Sequence, residues 1–88
     1  MTIVDEIREV GERAKQTKAV ERYLLEHGHI SNHMAIYQGV PGYGIITRLG
    51  ARIYDLRERG YLIRTEKRLG KTHYFLEATP GGQLPLGV

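Results

Sequence analysis

Three arginines at helical spacing, Arg48, Arg52 and Arg59, are the side chains of this chain best suited to a chemical task. A guanidinium presents its donors as a planar fork, which matches the O6 and N7 edge of guanine or two oxygens of a phosphate. Together with Ala51 and Asp55 they lie to one side of the segment 47–60, Thr-Arg-Leu-Gly-Ala-Arg-Ile-Tyr-Asp-Leu-Arg-Glu-Arg-Gly. On a helix these arginines fill a narrow arc roughly 80° from the apolar stripe Leu49, Ile53, Leu56. Ala51 is small enough to let that face come close to a crowded partner. The plainer alternative is a solvated charged face on a core helix, with Asp55 and Glu58 pairing to arginines three or four residues away.

Other chemistries find less support. His27, His29 and His33 form an H-x-H-x3-H run with imidazoles able to ligate zinc or nickel. The run crosses an expected helix boundary and no thiolate or carboxylate joins it, so no metal site is expected. Near-neutral histidines beside a phosphate fit pH-sensitive binding better. Ser31 is the single serine, cysteine is absent, and the two aspartates, Asp5 and Asp55, belong to no paired-carboxylate motif. The chain therefore reads as a binding protein rather than an enzyme, with no cofactor.

The elements that must position these residues follow from periodicity. Thr47 is placed to cap the arginine helix and Gly60 to end it in the left-handed conformation. Residues 2–14 read as an amphipathic helix with Ile3, Ile7, Val10 and Ala14 on one stripe, free to pack on the body or to form a dimer. A second helix is expected over 18–27, capped by Thr17 and stopped by Gly28, and a third after Ser31, with Ile30 as its staple. Residues 39–44, Gly-Val-Pro-Gly-Tyr-Gly, form the turn into the arginine helix. A nucleotide-cradling loop is disfavoured there, because no strand precedes it and no Lys-Ser/Thr follows. Residues 61–66 and 72–77 alternate as strands, joined by a basic turn over 67–71 in which Gly70 can take positive φ. Residues 78–88 carry two prolines and three glycines without a period and are expected to be disordered.

The resulting fold class is mainly α with a C-terminal β-hairpin: a three-helix core plus a wing, with an extra N-terminal helix. The expected divisions are 1–16 for the N-terminal helix, 17–77 for the domain and 78–88 for the tail. Eighty-eight residues suffice for one small domain. The net charge of +3 is unevenly spread. Residues 47–71 carry eight Lys or Arg against three acids, +5, and the remainder is at −2. A partner with a negative surface is implied, nucleic acid before an acidic protein. No apolar run reaches membrane-spanning length and the N-terminus lacks a signal pattern, so a cytoplasmic protein without membrane contact is expected.

The stretches Thr47-Arg48-Leu49, Ala51-Arg52-Ile53, Asp55-Leu56-Arg57 and Gly60-Tyr61 resemble the small winged helix-turn-helix proteins of bacteriophages and prophages, over residues 18–77. That resemblance implies a DNA-binding domain of a transcription regulator, or of a recombination or replication accessory factor, located in the host cytoplasm or nucleoid. It implies that Arg48 and Arg52 face DNA, with Asp55 ordering them. Gly50 and the long glycine loop depart from the pattern. Base contacts are accordingly expected from Arg48, Ala51, Arg52 and Asp55, and phosphate contacts from Ser31, Thr47, Arg59, Lys67, Arg68 and Lys71. The partner is double-stranded DNA, bound as a homodimer or in several copies per site. A protein-interaction module built on the same fold is the alternative.

Overall fold

A computed structural model describes residues 3–82, with side chains from residue 11 onward. The first element, α1, is a single helix over Ile3–His27. The expected boundary at Thr17 does not exist. The Thr17 hydroxyl lies 2.9 Å from the Arg13 carbonyl one turn earlier and 3.1 Å from Asp55 Oδ2, and the residue is buried. A threonine that bonds back to the preceding turn and to another helix sits comfortably inside a helix, where its type alone suggests a cap. The side chains of Ile3, Ile7 and Val10 lie outside the described residues.

Gly28 ends α1, its N–H on Leu24 O at 2.7 Å, and the chain enters a short strand, β1, His29–Ser31. Ile30 points into the core with no exposure. Ser31 then caps α2, Asn32–Tyr37, accepting from the Met34 N–H at 3.0 Å. The loop 39–46 folds on itself. Val40 and Gly44 bridge, Ile46 N–H bonds Ala35 O, and Val40 and Ile46 are buried. The N–H groups of Gly39, Val40, Tyr43 and Gly44 all have backbone partners, so the loop is a structural closure.

The arginine-bearing helix, α3, spans Leu49–Glu58. Its N-cap is Arg48, without a side-chain cap bond, and Thr47 lies one residue outside. Gly60 ends it as expected: at φ 100 its N–H bonds Arg57 O and the Tyr61 N–H bonds Leu56 O, the paired bonds of a Schellman motif. Leu49, Ile53 and Leu56 are fully buried, as their spacing predicts. They meet Val20 and Leu24 of α1, Ile30 of β1 and two residues of the hairpin, Ile63 and Leu76, in one cluster. Each such side chain contributes about 1.5–3 kcal/mol on burial.

The hairpin consists of β2, Leu62–Arg68, and β3, Lys71–Ala78, and β1 adds on the far side of β3 to give a three-stranded antiparallel sheet in the order β1-β3-β2. The strands run longer than alternation indicated, because Arg68 and Lys71 pair directly. The turn is only Leu69 and Gly70, both at positive φ, 51 and 77. That is the backbone of a type I′ hairpin turn, which matches strand twist but costs a residue with a Cβ about 1–2 kcal/mol. Beyond the hairpin, the chain remains described to residue 82. Ala78 closes β3, Gly82 N–H bonds Thr79 O, and Pro80 lies against Gly60. Residues 83–88 of the expected tail lie outside the described residues.

Candidate nucleic-acid interface

Three faces of α3 have distinct surroundings. One is the buried stripe. A second, carrying Arg52, Asp55 and Arg59, turns toward α1. The third, carrying Gly50, Tyr54 and Arg57, is exposed; Gly50 and Arg57 border the hairpin, while Tyr54 lies toward Arg13, Ala14 and Thr17 of α1.

The second face is where Arg52 and Asp55 lie, and there both side chains, from which base contacts were expected, are engaged within the domain. Arg13 of α1 grips the Asp55 carboxylate with both ends of its guanidinium, Nη2 to Oδ1 at 2.6 Å and Nε to Oδ2 at 3.2 Å. Arg52 Nε lies 3.1 Å from Oδ2 as an ion-pair contact without a hydrogen bond, while Arg52 Nη1 donates to Gln16 Oε1 at 3.2 Å. The Arg52 and Asp55 side chains are only 11% and 10% exposed. The hydrogen bond from Arg13, with further help from Thr17 and Arg52, holds the Asp55 carboxyl below its ordinary pKa against the opposing effect of burial. Packing of α1 over the arginine stripe is the reason: a stripe 80° from the core is close enough to be covered by a neighbouring helix, roughly as the spacing of faces on a helix requires.

Ala51 is half-buried and Thr47 and Arg48 are exposed at the start of α3. Among the described residues the Arg48 guanidinium has no ion-pair or hydrogen-bond partner. Arg59 is the C-cap of α3 and is exposed. Ser31 spends its hydroxyl oxygen on the α2 cap. Lys67, Arg68 and Lys71 are exposed at the ends of the hairpin strands rather than in its turn.

The cations of this region divide into two sets. Arg64 and Arg68 both pair with Glu66, Arg68 at 2.9 Å, and Arg64 also lies 3.4 Å from Glu77. Both guanidiniums sit over the Phe75 ring, at 4.6 and 5.4 Å from its centroid. Their grip pulls the Glu66 carboxyl below its ordinary pKa, Arg68 first. Arg57 donates to Ile63 O at 2.8 Å and to Thr65 Oγ1 at 2.8 Å, tying α3 to β2. Arg48, Arg59, Lys67 and Lys71 have neither an ion pair nor a hydrogen bond from their side chains among the described residues. Uncommitted positive charge thus remains at the two ends of α3 and at the far end of the hairpin.

Residue types alone did not single out four contributors. Arg13 is the partner of Asp55, and no local spacing connects residues so far apart in the chain. Arg57 is the link between helix and hairpin. Tyr54 is 59% exposed, and its hydroxyl, bonded to Glu58, is raised above the ordinary phenol pKa. Gly50 faces the hairpin, where a methyl group would just touch the Tyr74 hydroxyl at 3.4 Å. The i, i+4, i+7 spacing of Gly50, Tyr54 and Arg57 was a signal for this face, but only the position of α1 reveals that it is the open one.

The histidine run is dispersed. His27 packs edge-on against Tyr23, and His33 lies against Tyr37. His29 stacks on His73 across the sheet, with Nε2 2.8 Å from His73 Nδ1. No helix among the described residues is long and apolar enough to cross a membrane. Comparison with curated proteins gives no match, and neither does comparison with solved structures. A family model described as a winged helix-turn-helix domain matches residues 15–77, and the chain belongs to that family.

Proposed function

We propose that the protein binds double-stranded DNA sequence-specifically, with α3 in the major groove and the hairpin as a wing on the adjacent backbone. The observation that carries this reading is the placement of the uncommitted cations. Arg48 and Arg59 flank α3, and Lys67 and Lys71 stand at the wing, while the neighbouring Arg52, Arg64 and Arg68 are neutralised by acids of their own domain. Thr47, Arg48, Ala51 and Tyr54 face the base edges, and Arg48 is the residue able to make the bidentate contact with guanine. Arg59, Lys67 and Lys71 hold phosphates and set the register. Arg52 and Asp55 serve as a brace that fixes the rotation of α3 against α1.

One such domain covers limited DNA, so we infer two or more copies per site, with the Ile3, Ile7, Val10 stripe of α1 as the contact between copies. The resemblance to phage and prophage proteins supports a regulator, or a recombination or replication accessory factor, of a mobile element.

The test is a titration of duplex DNA against salt, after selection of a preferred site from a random duplex pool. With about three phosphates neutralised per domain, by Arg59, Lys67 and Lys71, log K falls against log salt with a slope of about −3 for each bound domain. A slope near zero, or a pool that yields no preferred site, removes this reading.

A further inference from the structure

We propose that Leu69 is a DNA-kinking wedge: its side chain enters a base step in the minor groove beside the site held by α3 and partly unstacks it. The inference rests on the DNA-binding reading above and adds to it a mode of contact and a source of selectivity.

Leu69 is the anomaly of the described residues. Its side chain is completely exposed, at 101% of the reference value, the most exposed large apolar group described. It is also the only described non-glycine residue at positive φ. The first central position of a type I′ turn ordinarily holds Asn, Asp or Gly, which adopt that backbone with little strain. Leucine there receives nothing from the fold in return. It touches no part of the core, it has no polar atom to bond, and its backbone is strained. Local strain combined with an exposed apolar group, and no compensation within the molecule, points to a partner outside it.

The surroundings of the tip identify that partner. The pairings Arg68↔Lys71 and Lys67↔Thr72 place cations immediately below Leu69 on both strands. Arg68 is drawn to Glu66, but Lys67 and Lys71 are not so engaged. An apolar point within a positive collar fits a surface that is anionic outside and apolar inside. Duplex DNA has phosphate rims and, between them, stacked bases. A two-residue turn is the narrowest end an antiparallel pair can have, and it fits a minor groove about 6 Å wide that no helix can enter. Leucine is among the residues that open a base step in this way and bend the duplex toward the major groove. Pyrimidine–purine steps yield most readily, so the wedge selects TA or CA/TG at a position that α3 does not reach.

The experiment compares the wild-type protein with Leu69→Asn and Leu69→Ala. The probe is the duplex recovered by pool selection, with a donor and acceptor dye at its ends to report bending and 2-aminopurine at the tested step to report unstacking. Wild type shortens the end-to-end distance and brightens the 2-aminopurine. Leu69→Asn melts a few degrees higher, because asparagine relaxes the turn. Both variants lose the bend and the fluorescence gain, and bind the selected duplex about 10-fold more weakly or worse. The salt slope is unchanged, since no charge has been moved. Bending and affinity equal to wild type in Leu69→Asn overturn the wedge. Wild-type binding without any bend or unstacking overturns it too, while leaving DNA binding intact. No binding of wild type to any duplex removes both readings. If either variant alters the mass of the protein in solution while bending persists, the tip serves a second copy of the chain and the proposal fails.

Discussion

Arg13 of α1 and Asp55 of α3 form a two-pronged ion pair that joins helices 42 positions apart in the chain. It sits at the centre of the brace with Thr17, Arg52 and Gln16. Asp55→Asn removes the charge from a side chain that is 10% exposed and leaves Arg52 without its counter-ion. The expected loss is about 2 kcal/mol at pH 7, the range for hydrogen bonds to charged groups. The sign with pH follows from the lowered pKa of Asp55. Its contribution is complete above the unfolded carboxyl value of 3.8 and disappears as pH falls through the folded value. Urea unfolding of both proteins down a pH series should therefore show the gap at neutrality closing in acid. A gap that persists unchanged in acid would mean the brace stabilises by packing, not by charge.

Arg48 and Arg52 should part ways on mutation, although they share one stripe. Arg48→Ala should leave the melting temperature unchanged and weaken a selected duplex by about 1–3 kcal/mol, with much less effect on random duplex. Arg52→Ala should lower the melting temperature, because it uncovers part of the α1–α3 contact. Calorimetry and equilibrium binding on the same samples separate the two. If Arg52→Ala melts normally and loses only selectivity, Arg52 reaches DNA and the brace opens on binding.

Within the hairpin, Lys67 and Lys71 should matter more than Arg68. Replacing either lysine by alanine should weaken selected and random duplex about equally and reduce the salt slope by about one. Arg68→Ala should reduce the slope by less, since Glu66 already holds that guanidinium. Equal slope changes for all three would show that Glu66 releases Arg68 in the complex.

The outer face of the sheet should respond to pH. Burial, then the nearby His73 and Arg68, lower the pKa of His29 from its usual 6.5. The same face holds Arg64, Glu66, Glu77 and Phe75, so acids are present, but both carboxylates are already engaged by Arg64. The unfolded imidazole takes up a proton near pH 6.5 while the folded one resists, so the unfolded state binds more protons in that window and stability rises with pH through it. Melting temperatures measured from pH 7.5 to 5.5 should fall, and His29→Phe should flatten the profile. A wild-type profile without slope in this range would show that the two rings accommodate the extra proton.

Much of the fold was legible because its signals are local. Gly60 marks the end of α3, Gly28 the end of α1, and the stripe Leu49, Ile53, Leu56 its buried face, each from a few neighbouring residues. β1 escaped notice because three residues offer only one inward side chain, Ile30, too short a stretch to show alternation. Thr17 misled because a hydroxyl that caps a helix can equally bond the preceding turn inside one. The orientation of α3 was the least legible feature. Both of its polar faces carry plausible ligands for DNA, and choosing between them requires knowing where α1 lies. That information is held by the pairing of Arg13 with Asp55, a relationship no periodicity expresses.

Arg57 binds α3 to β2 through Ile63 O and Thr65 Oγ1, and Gly50 brings the same helix against Tyr74 of β3. The helix and the wing are thereby the two jaws of a calliper locked at one opening. A locked calliper does not adjust to what it measures. In the proposed complex, a duplex whose groove and flanking backbone are spaced differently would have to deform to be gripped, and the energy of that deformation would depend on the bases between the jaws. If the protein binds DNA as proposed, it would in this way discriminate even with few side chains directed at base edges, by gauging the stiffness of DNA it never touches.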